Sequence, residues 1–199
     1  MPRHAPITVL TVTIPGREQS LARTIASVNA QTVPVFRQLV CSHPVTRDPP
    51  MVQYVTAKNS LLPAVVTDWV AVLNDDDTWL PHHVRTMLPH LDGADVVYSW
   101  DAGRTRPREN CNEWDQREIA ETLDKYNFID GNCLIRRSTL IEAGGFPADF
   151  VEGGYEGSVA DFEDWELWRR LNLAGAVFRC VPVETWRYDF ALTGRISNS

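Results

Sequence analysis

The sequence has no apolar run long enough to span a bilayer, which predicts a chain without a transmembrane segment. Residues 1–6 lack the apolar core of a secretory signal peptide, so a cytoplasmic protein is the default expectation. Cysteine is scarce and has no metal-type spacing, which argues against a zinc module or a disulfide framework. The four cysteines are Cys41, Cys111, Cys133 and Cys180.

The sequence also has fewer basic than acidic residues. The chain has 19 Lys and Arg against 26 Asp and Glu, a formal net charge of −7. This balance argues against a broad nucleic-acid interface and against anchoring on anionic membranes. One local basic candidate remains, formed by Arg104, Arg106 and Arg108. With 199 residues, 44% of them hydrophobic, the chain is long enough for one domain with a substantial core.

The most informative stretch is residues 69–81, where an apolar run leads directly into three consecutive carboxylates, Asp75, Asp76 and Asp77. A short apolar run that ends in polar residues predicts a buried strand, and ligands of open α/β sheets bind beyond such strand ends. Carboxylate oxygens are ligands that suit Mg²⁺ or Mn²⁺. The alternative is a solvated acidic turn, because turns also favour Asp and Asn.

Strands and helices alternate along the rest of the chain. Apolar and β-branched runs predict strands at 7–14, 38–42, 52–56, 69–73, 95–99 and 177–183. Helical spacing predicts helices at 18–30, 82–91, 117–125, 138–143 and 163–174, a short helix or turn at 58–66, and an extended segment at 127–135. Loops are predicted at 43–50, 100–112 and 149–160. The alternation predicts a single α/β, Rossmann-like domain over residues 1–199, with a mostly parallel central sheet flanked by helices.

Four segments then stand in a recognisable order. They are Thr-Ile-Pro-Gly-Arg at 13–17, the acidic turn at 74–81, the segment 127–146, and Phe-Glu-Asp-Trp-Glu-Leu-Trp at 162–168. Together they resemble the family 2 glycosyltransferases, which use nucleotide sugars and have the GT-A fold. The resemblance implies a GT-A-like domain that moves a sugar from a nucleoside-diphosphate sugar to an acceptor hydroxyl, with inversion at the anomeric carbon.

In that family the acidic turn is the DXD motif, which contacts the donor and holds a divalent cation on its diphosphate. The spacing to Pro81 matches Asp76 to the metal-binding carboxylate, with Asp77 as a second metal ligand and Asp75 on the donor. The cation, Mn²⁺ or Mg²⁺, would stabilise the negative charge of the leaving diphosphate. A simpler role for Asp77 is that of a helix N-terminal charge ahead of Pro81.

The resemblance also supplies donor-binding candidates. Thr13, Pro15 and Arg17 match the family's first nucleotide-contacting turn, and Lys58 with Asn59 matches a basic-residue–Asn pair near the nucleotide. A solvated surface charge is the alternative for Lys58.

Gly131 matches the segment that passes beside the donor sugar, where a glycine lets the backbone approach a ligand closely. Its alternative is an ordinary turn before a strand. Residues 39–44 lack the carboxylate with which the family contacts the base. The resemblance favours a UDP-sugar as the donor, but the missing carboxylate leaves the identity of the base open.

Glu163 and Asp164 match the family's ED motif and are the catalytic candidates. In inverting members the Asp is the general base that takes the proton from the acceptor hydroxyl, which requires hydrogen-bond reach of the nucleophile. The alternative makes both residues first-turn acids favoured by the helix dipole, with Asp161 as the N-cap.

The chain closes its core with Trp-Arg-Tyr at 186–188, and Asp189 follows where the family has a metal-approaching His. Asp189 is therefore a third metal candidate, and we expect the tail at 184–199 to close over the bound donor and metal. A surface Asp in a terminal turn is the alternative. The acceptor is not identified, and its site is expected from the loops at 100–112 and 149–160 or from a partner in a homo-oligomer.

Two other functions fit the same fold. One is a nonenzymatic module that binds nucleotide sugars or glycans, which the missing base-contacting carboxylate favours. The other is a sugar nucleotidyltransferase, although such enzymes have a glycine-rich phosphate loop after the first strand and this chain has only Gly16 there.

Overall fold

The structure is a computed structural model that describes residues 4–43, 50–103, 113–149 and 163–188. Several predictions concern residues outside these ranges. They are the metal role of Asp189, the N-cap role of Asp161, the basic candidate at Arg104, Arg106 and Arg108, and most of the loops at 43–50, 100–112 and 149–160 and of the tail at 184–199.

One seven-stranded sheet forms the centre of the fold. Its strands are β1 Ala5–Thr13, β2 Val35–Ser42, β3 Trp69–Val72, β4 Thr78–Trp79, β5 Val96–Asp101, β6 Cys133–Arg136 and β7 Phe178–Arg187. Their spatial order is β2-β1-β3-β6-β5-β7-β4. β1 pairs in parallel with β2 and β3, β5 pairs in parallel with β7, and β6 and β4 pair antiparallel with their neighbours. Five strands therefore share one direction, which confirms the predicted α/β class.

Within the described ranges, six helices accompany the sheet. They are α1 Glu18–Asn29, α2 Pro50–Leu61, α3 His83–Met87, α4 Gln116–Leu123, α5 Arg137–Glu142 and α6 Glu163–Leu173. Short 3-10 turns, Leu62–Ala64 and Leu88–His90, extend α2 and α3. At α4 the Asp115 side chain accepts a hydrogen bond from the backbone N–H of Glu118, and the Glu118 side chain caps Asp115 in return. Among the residues described, no helix has the length and apolar content to cross a membrane.

The core lies on both faces of the sheet. Along β3, Trp69 and Ala71 belong to one apolar cluster, and Val70 and Val72 belong to the other. This alternation follows from the two-residue period of a strand. All four side chains are buried, because each face of a central strand in an α/β fold is covered.

Residues 52–56 are not a strand, and this prediction was wrong. They lie inside α2, where Val55 is fully buried in the core beside the sheet and Ala57 and Lys58 are also buried. Packing against β1 and β2 has overridden the β preference of the valines. The prediction at 127–135 was too long, because only β6 at its end is a strand.

Pairing of distant residues explains two further differences. β7 continues to Arg187, four residues beyond its predicted end, because Trp186 pairs with Asp101 of β5 and with Trp79 of β4. The two-residue strand β4 was not predicted, since it exists only through this ladder with β7.

Candidate active site

The acidic turn leaves the carboxyl end of β3, beside the carboxyl end of β1. The hydroxyl of Thr13 donates to Asp75 Oδ2 at 2.7 Å, and Arg17 Nη1 donates to Asp75 Oδ1 at 2.8 Å. Gly16 has a φ of +90°, and this left-handed turn leads the chain from the end of β1 to Arg17. Pro15 lies on the exposed surface of the same turn. Residues 13–17 therefore lie beside the acidic turn and contact it through Thr13 and Arg17.

Arg17 bridges two of the three carboxylates. Its Nη1 also lies 3.2 Å from Asp76 Oδ2, and its side chain is 21% exposed. Burial lowers the pKa of Arg17, but hydrogen bonds and charges from Asp75 and Asp76 outweigh it and raise the pKa. Burial raises the pKa of Asp76, and the charge of Arg17 opposes this shift. The guanidinium is therefore the cation that this turn contacts in the described structure.

Asp77 points into the protein. Its Oδ2 accepts hydrogen bonds from Asn132 Nδ2 at 2.8 Å and Asn74 Nδ2 at 3.3 Å. Its Oδ1 is buried and has no hydrogen-bond partner among the residues described. Burial raises the pKa of Asp77 to about 8, although the bond from Asn132 opposes this. At neutral pH the carboxyl therefore holds a proton much of the time in the absence of a cation.

The carboxylate oxygens of the acidic turn are suitable ligands for a divalent cation. They do not, however, surround one point, so the described residues alone do not form a complete metal site. Within the described ranges, no three His, Cys, Asp or Glu side chains gather around one point. Asp75 and Asp77 each accept two hydrogen bonds from neighbouring side chains, whereas Asp76 contacts Arg17. This fits Mg²⁺ or Mn²⁺ held by one or two carboxylates together with water and substrate phosphates. Asp76, and the unpartnered oxygen of Asp77, are the atoms available for it.

Asp164 lies in the first turn of α6, half-buried. Its Oδ1 accepts hydrogen bonds from Asn127 Nδ2 at 3.2 Å and from the backbone N–H of Trp165 at 2.7 Å. Its Oδ2 faces Gly131, where a Cβ atom would lie 3.7 Å from it. Both of these donors bond to Oδ1, and neither of them bonds to Oδ2.

The environment of Asp164 adjusts its acidity toward neutral pH. Burial raises the pKa of Asp164 to about 7, the adjacent carboxylate of Glu163 adds to the rise, and the charge of Lys58 opposes it. A general base works best when its pKa lies near the working pH.

The segment just before β6 contacts both the acidic turn and the carboxylates at the start of α6. Asn132 donates to Asp77, and its neighbour Gly131 lies against Asp164. Asn132 is 3% exposed, so it is a buried link between the acidic turn and α6.

Lys58 and Asn59 have different surroundings from those the sequence predicted. Lys58 is 5% exposed, and its Nζ donates to Glu163 Oε1 at 3.1 Å, which excludes the surface-charge alternative. Asn59 donates from Nδ2 to the carbonyl of Phe146 at 2.8 Å and accepts from the N–H of Phe146 at 2.9 Å. This pair of bonds is structural, and contact of either residue with a donor stays a prediction.

Sequence reasoning missed two polar residues beside the acidic turn. The Tyr54 hydroxyl donates to the side chain of Asn74. Asp101, 6% exposed at the end of β5, accepts hydrogen bonds from the N–H groups of Gly103 and Tyr188, and its charge adds to the raised pKa of Asp77. The signal for Asp101 was available, since a carboxylate ends an apolar strand there too, but residues 100–112 were assigned to a loop.

No protein-family model matches the sequence, and no curated protein matches it. Solved structures do match. The structure of S. aureus TarS 1–349 aligns with a TM-score of 0.65 and 14% identity, covering 91% of this chain and 59% of that one. The same protein in complex with UDP-GlcNAc aligns with a TM-score of 0.64 and 15% identity, covering 96% of this chain and 59% of that chain.

A mannosyltransferase, PcManGT from Pyrobaculum calidifontis in complex with GDP-Man and Mn²⁺, aligns with a TM-score of 0.59 and 13% identity. The alignment covers 90% of this chain and 55% of that one. The chain therefore spans less than two thirds of the length of each of these structures. At such identities the likeness establishes the fold alone. The chain therefore has the GT-A-like fold of these glycosyltransferase structures, as the motif resemblance predicts.

Proposed function

We propose that the chain is a glycosyltransferase that moves a sugar from a nucleoside-diphosphate sugar to an acceptor hydroxyl, with inversion at the anomeric carbon. The observation that carries the proposal is the link made by Gly131 and Asn132. One short segment contacts both the carboxylate cluster suited to a donor diphosphate and the half-buried carboxyl suited to a base. The matching structures in complex with UDP-GlcNAc and with GDP-Man support a nucleotide-sugar donor.

The base is Asp164. Its Oδ2 takes the proton of the acceptor hydroxyl while the hydroxyl oxygen bonds to the anomeric carbon, and the bond to the diphosphate breaks with its electrons on the phosphate oxygen. Asn127 and the N–H of Trp165 hold Oδ1 and so fix the direction of Oδ2. A positioned base of this kind contributes a rate factor of ~10²–10⁴.

The donor lies over the carboxyl ends of β1 and β3. Thr13 and Arg17 orient Asp75 toward it, and Arg17 offers a guanidinium to the diphosphate when it gives up its longer contact with Asp76. Asp76, assisted by Asp77, would hold a Mn²⁺ or Mg²⁺ ion, which would supply a Lewis acid to offset the negative charge of the leaving diphosphate. Residues 184–187 belong to β7, so the proposed closing element is the remainder of the tail, with Asp189 as its metal ligand.

The acceptor and the base of the nucleotide are left open by this proposal. UDP is the favoured nucleotide by resemblance, and the matches include complexes with both UDP-GlcNAc and GDP-Man. The acceptor is bound by the loops at 100–112 and 149–160 or across a homo-oligomer.

A thermal-shift screen of UDP-, GDP- and other nucleotide sugars, with and without Mn²⁺, tests the donor step, because a ligand that binds the native state raises the melting temperature. We expect one nucleotide class to stabilise the wild type. Mass spectrometry then measures release of the nucleoside diphosphate with a panel of acceptors, with Asp164→Asn as the inactive control. Binding without turnover by any acceptor would favour the nonenzymatic module, and no binding would refute the proposal.

A further inference from the structure

A buried ion pair lies between α2 and α6. Lys58 and Glu163 are 5% and 9% exposed, and Lys58 Nζ lies 3.1 Å from Glu163 Oε1. Buried charges of this kind are costly unless they are paired, and loss of one partner leaves the other uncompensated. The proposed reaction uses neither charge directly.

Aromatic rings fix the position of the ammonium. Lys58 Nζ lies 4.1 Å from the ring centroid of Tyr54 and 5.4 Å from that of Phe146. Burial raises the pKa of Tyr54 to about 12, so its hydroxyl stays a neutral donor to Asn74. Burial lowers the pKa of Lys58, but Tyr54 and Glu163 outweigh this and raise it, so the lysine stays charged. The ammonium of Lys58 is therefore held between the two rings and Glu163.

The pair adjoins the proposed base. Lys58, Glu163, Asp164 and Gly131 line one cavity of about 10 Å³, which has room for about one water molecule. The carboxylate of Asp130 also raises the pKa of Asp164, whereas burial raises the pKa of the nearby Cys133 thiol, which stays neutral. Asn127, the remaining polar neighbour, has no charge.

We propose that Lys58 is a positioning residue whose charge, shared between Glu163 and the adjacent Asp164, keeps Asp164 in the ionised form that accepts the proton. The proposal rests on the proposed function, in which Asp164 is the base. Without a cation, the adjacent Glu163 carboxylate would disfavour a second negative charge on Asp164. With Lys58 in place, the two acids of the first turn share one compensating charge. Lys58 thus acts on the acid–base chemistry and not on the nucleotide.

The test compares Glu163→Gln with the double variant Glu163→Gln, Lys58→Met. The glutamine removes the competing acid, so the effect of the lysine charge on Asp164 is measured alone. Two readouts are needed. The first is the pH dependence of transfer. The second is the titration of the Asp164 carboxyl by NMR with isotope-labelled aspartate, in which the Asp164 signal is identified as the one that Asp164→Asn lacks. Glu121→Gln, which removes an exposed ion pair of α4 with Arg117, is the matched control.

We expect Glu163→Gln to lower the pKa of Asp164 by about one unit and to move the acidic limb of the rate profile down with it. Adding Lys58→Met raises both again by about one unit. The control variant leaves both in place. A loss of rate that is uniform across pH, with the same Asp164 titration in the single and double variants, would overturn the proposal and leave the pair a structural contact.

The NMR readout separates this inference from the proposed function. If the wild type transfers no sugar, the proposed function fails, whereas opposite shifts of the Asp164 titration in the two variants still support the action of the pair on Asp164. If transfer occurs and the titration does not respond, the function stands and the inference fails.

Discussion

Gly145 lies at a position where a side chain would disrupt the two hydrogen bonds between Asn59 and the backbone of Phe146. Its φ is +86°, and a Cβ atom there would lie 2.7 Å from Asn59 Oδ1. The neighbouring Gly144 has nearly the same φ, +88°, but open space around its Cβ position. An alanine at either position would therefore have the same backbone strain, but only an alanine at 145 would also clash with Asn59.

The expected losses follow from these geometries. An alanine in the left-handed region costs about 1 kcal/mol, and this is all that Gly144→Ala should lose. Gly145→Ala has the same strain and also displaces Asn59, which ends two hydrogen bonds of about 1 kcal/mol each. Its total loss is therefore about 3 kcal/mol, and at about 3 °C per kcal/mol its melting temperature should fall by about 9 °C, against about 3 °C for Gly144→Ala.

Urea and thermal unfolding of the two variants, and of each combined with Asn59→Ala, measure these terms. In the Asn59→Ala background the two glycine substitutions should cost nearly the same, because the clash is gone. Equal losses in the wild-type background would refute the reasoning.

Four further outcomes are expected. Asp164→Asn should fold and bind donor yet lose ~10²–10⁴-fold in transfer rate, and a near-wild-type rate in a coupled assay would make Asp164 only a helix-terminal acid. Asp76→Ala should abolish the dependence of nucleotide binding on Mn²⁺ in calorimetry, whereas equal wild-type affinity in excess chelator would argue against a metal. The pKa of Asp77 is raised to about 8 in the folded chain, so its stabilising effect is complete below its unfolded pKa of about 4 and is lost as pH rises toward 8. In chelator, Asp77→Asn should therefore flatten the decline of unfolding free energy between pH 5 and pH 9, and an unchanged slope would contradict this. Asp189→Ala should raise the Mn²⁺ concentration needed for half-maximal transfer, and an unchanged titration curve would remove Asp189 from the metal site.

Local patterns made part of the site predictable. The acidic turn and Asp164 each belong to a short motif at an element boundary, a strand end in one case and a helix start in the other. A boundary of this kind is visible in a single sequence, because hydrophobic periodicity changes there. The alternation of strands and helices likewise made the α/β class predictable.

Pairings across the sheet were not predictable. Asn132 meets Asp77 from 55 residues away, and Lys58 meets Glu163 from 105 residues away. Nothing adjacent in the sequence marks either contact, since both depend on which strands and helices become neighbours. Residues 52–56 were predicted as a strand for the same reason, because valines favour strands. The structure shows a helix there, with Val55 and Lys58 buried on one face, and this burial depends on tertiary packing.

The reversed direction of β6 has a consequence for how this chain can vary. The carboxyl ends of β1, β3 and β5 lie at the site, whereas β6 has its amino end there, because its first residue, Cys133, pairs with Tyr98 near the site end of β5. Insertions after β6 have no loop to enter, because α5 begins at Arg137 directly after Arg136. An insertion between Asn127 and Cys133 would instead displace contacts to both carboxylate clusters at once. For libraries that vary loop length, residues 127–132, which lead into β6, are therefore the segment to hold fixed.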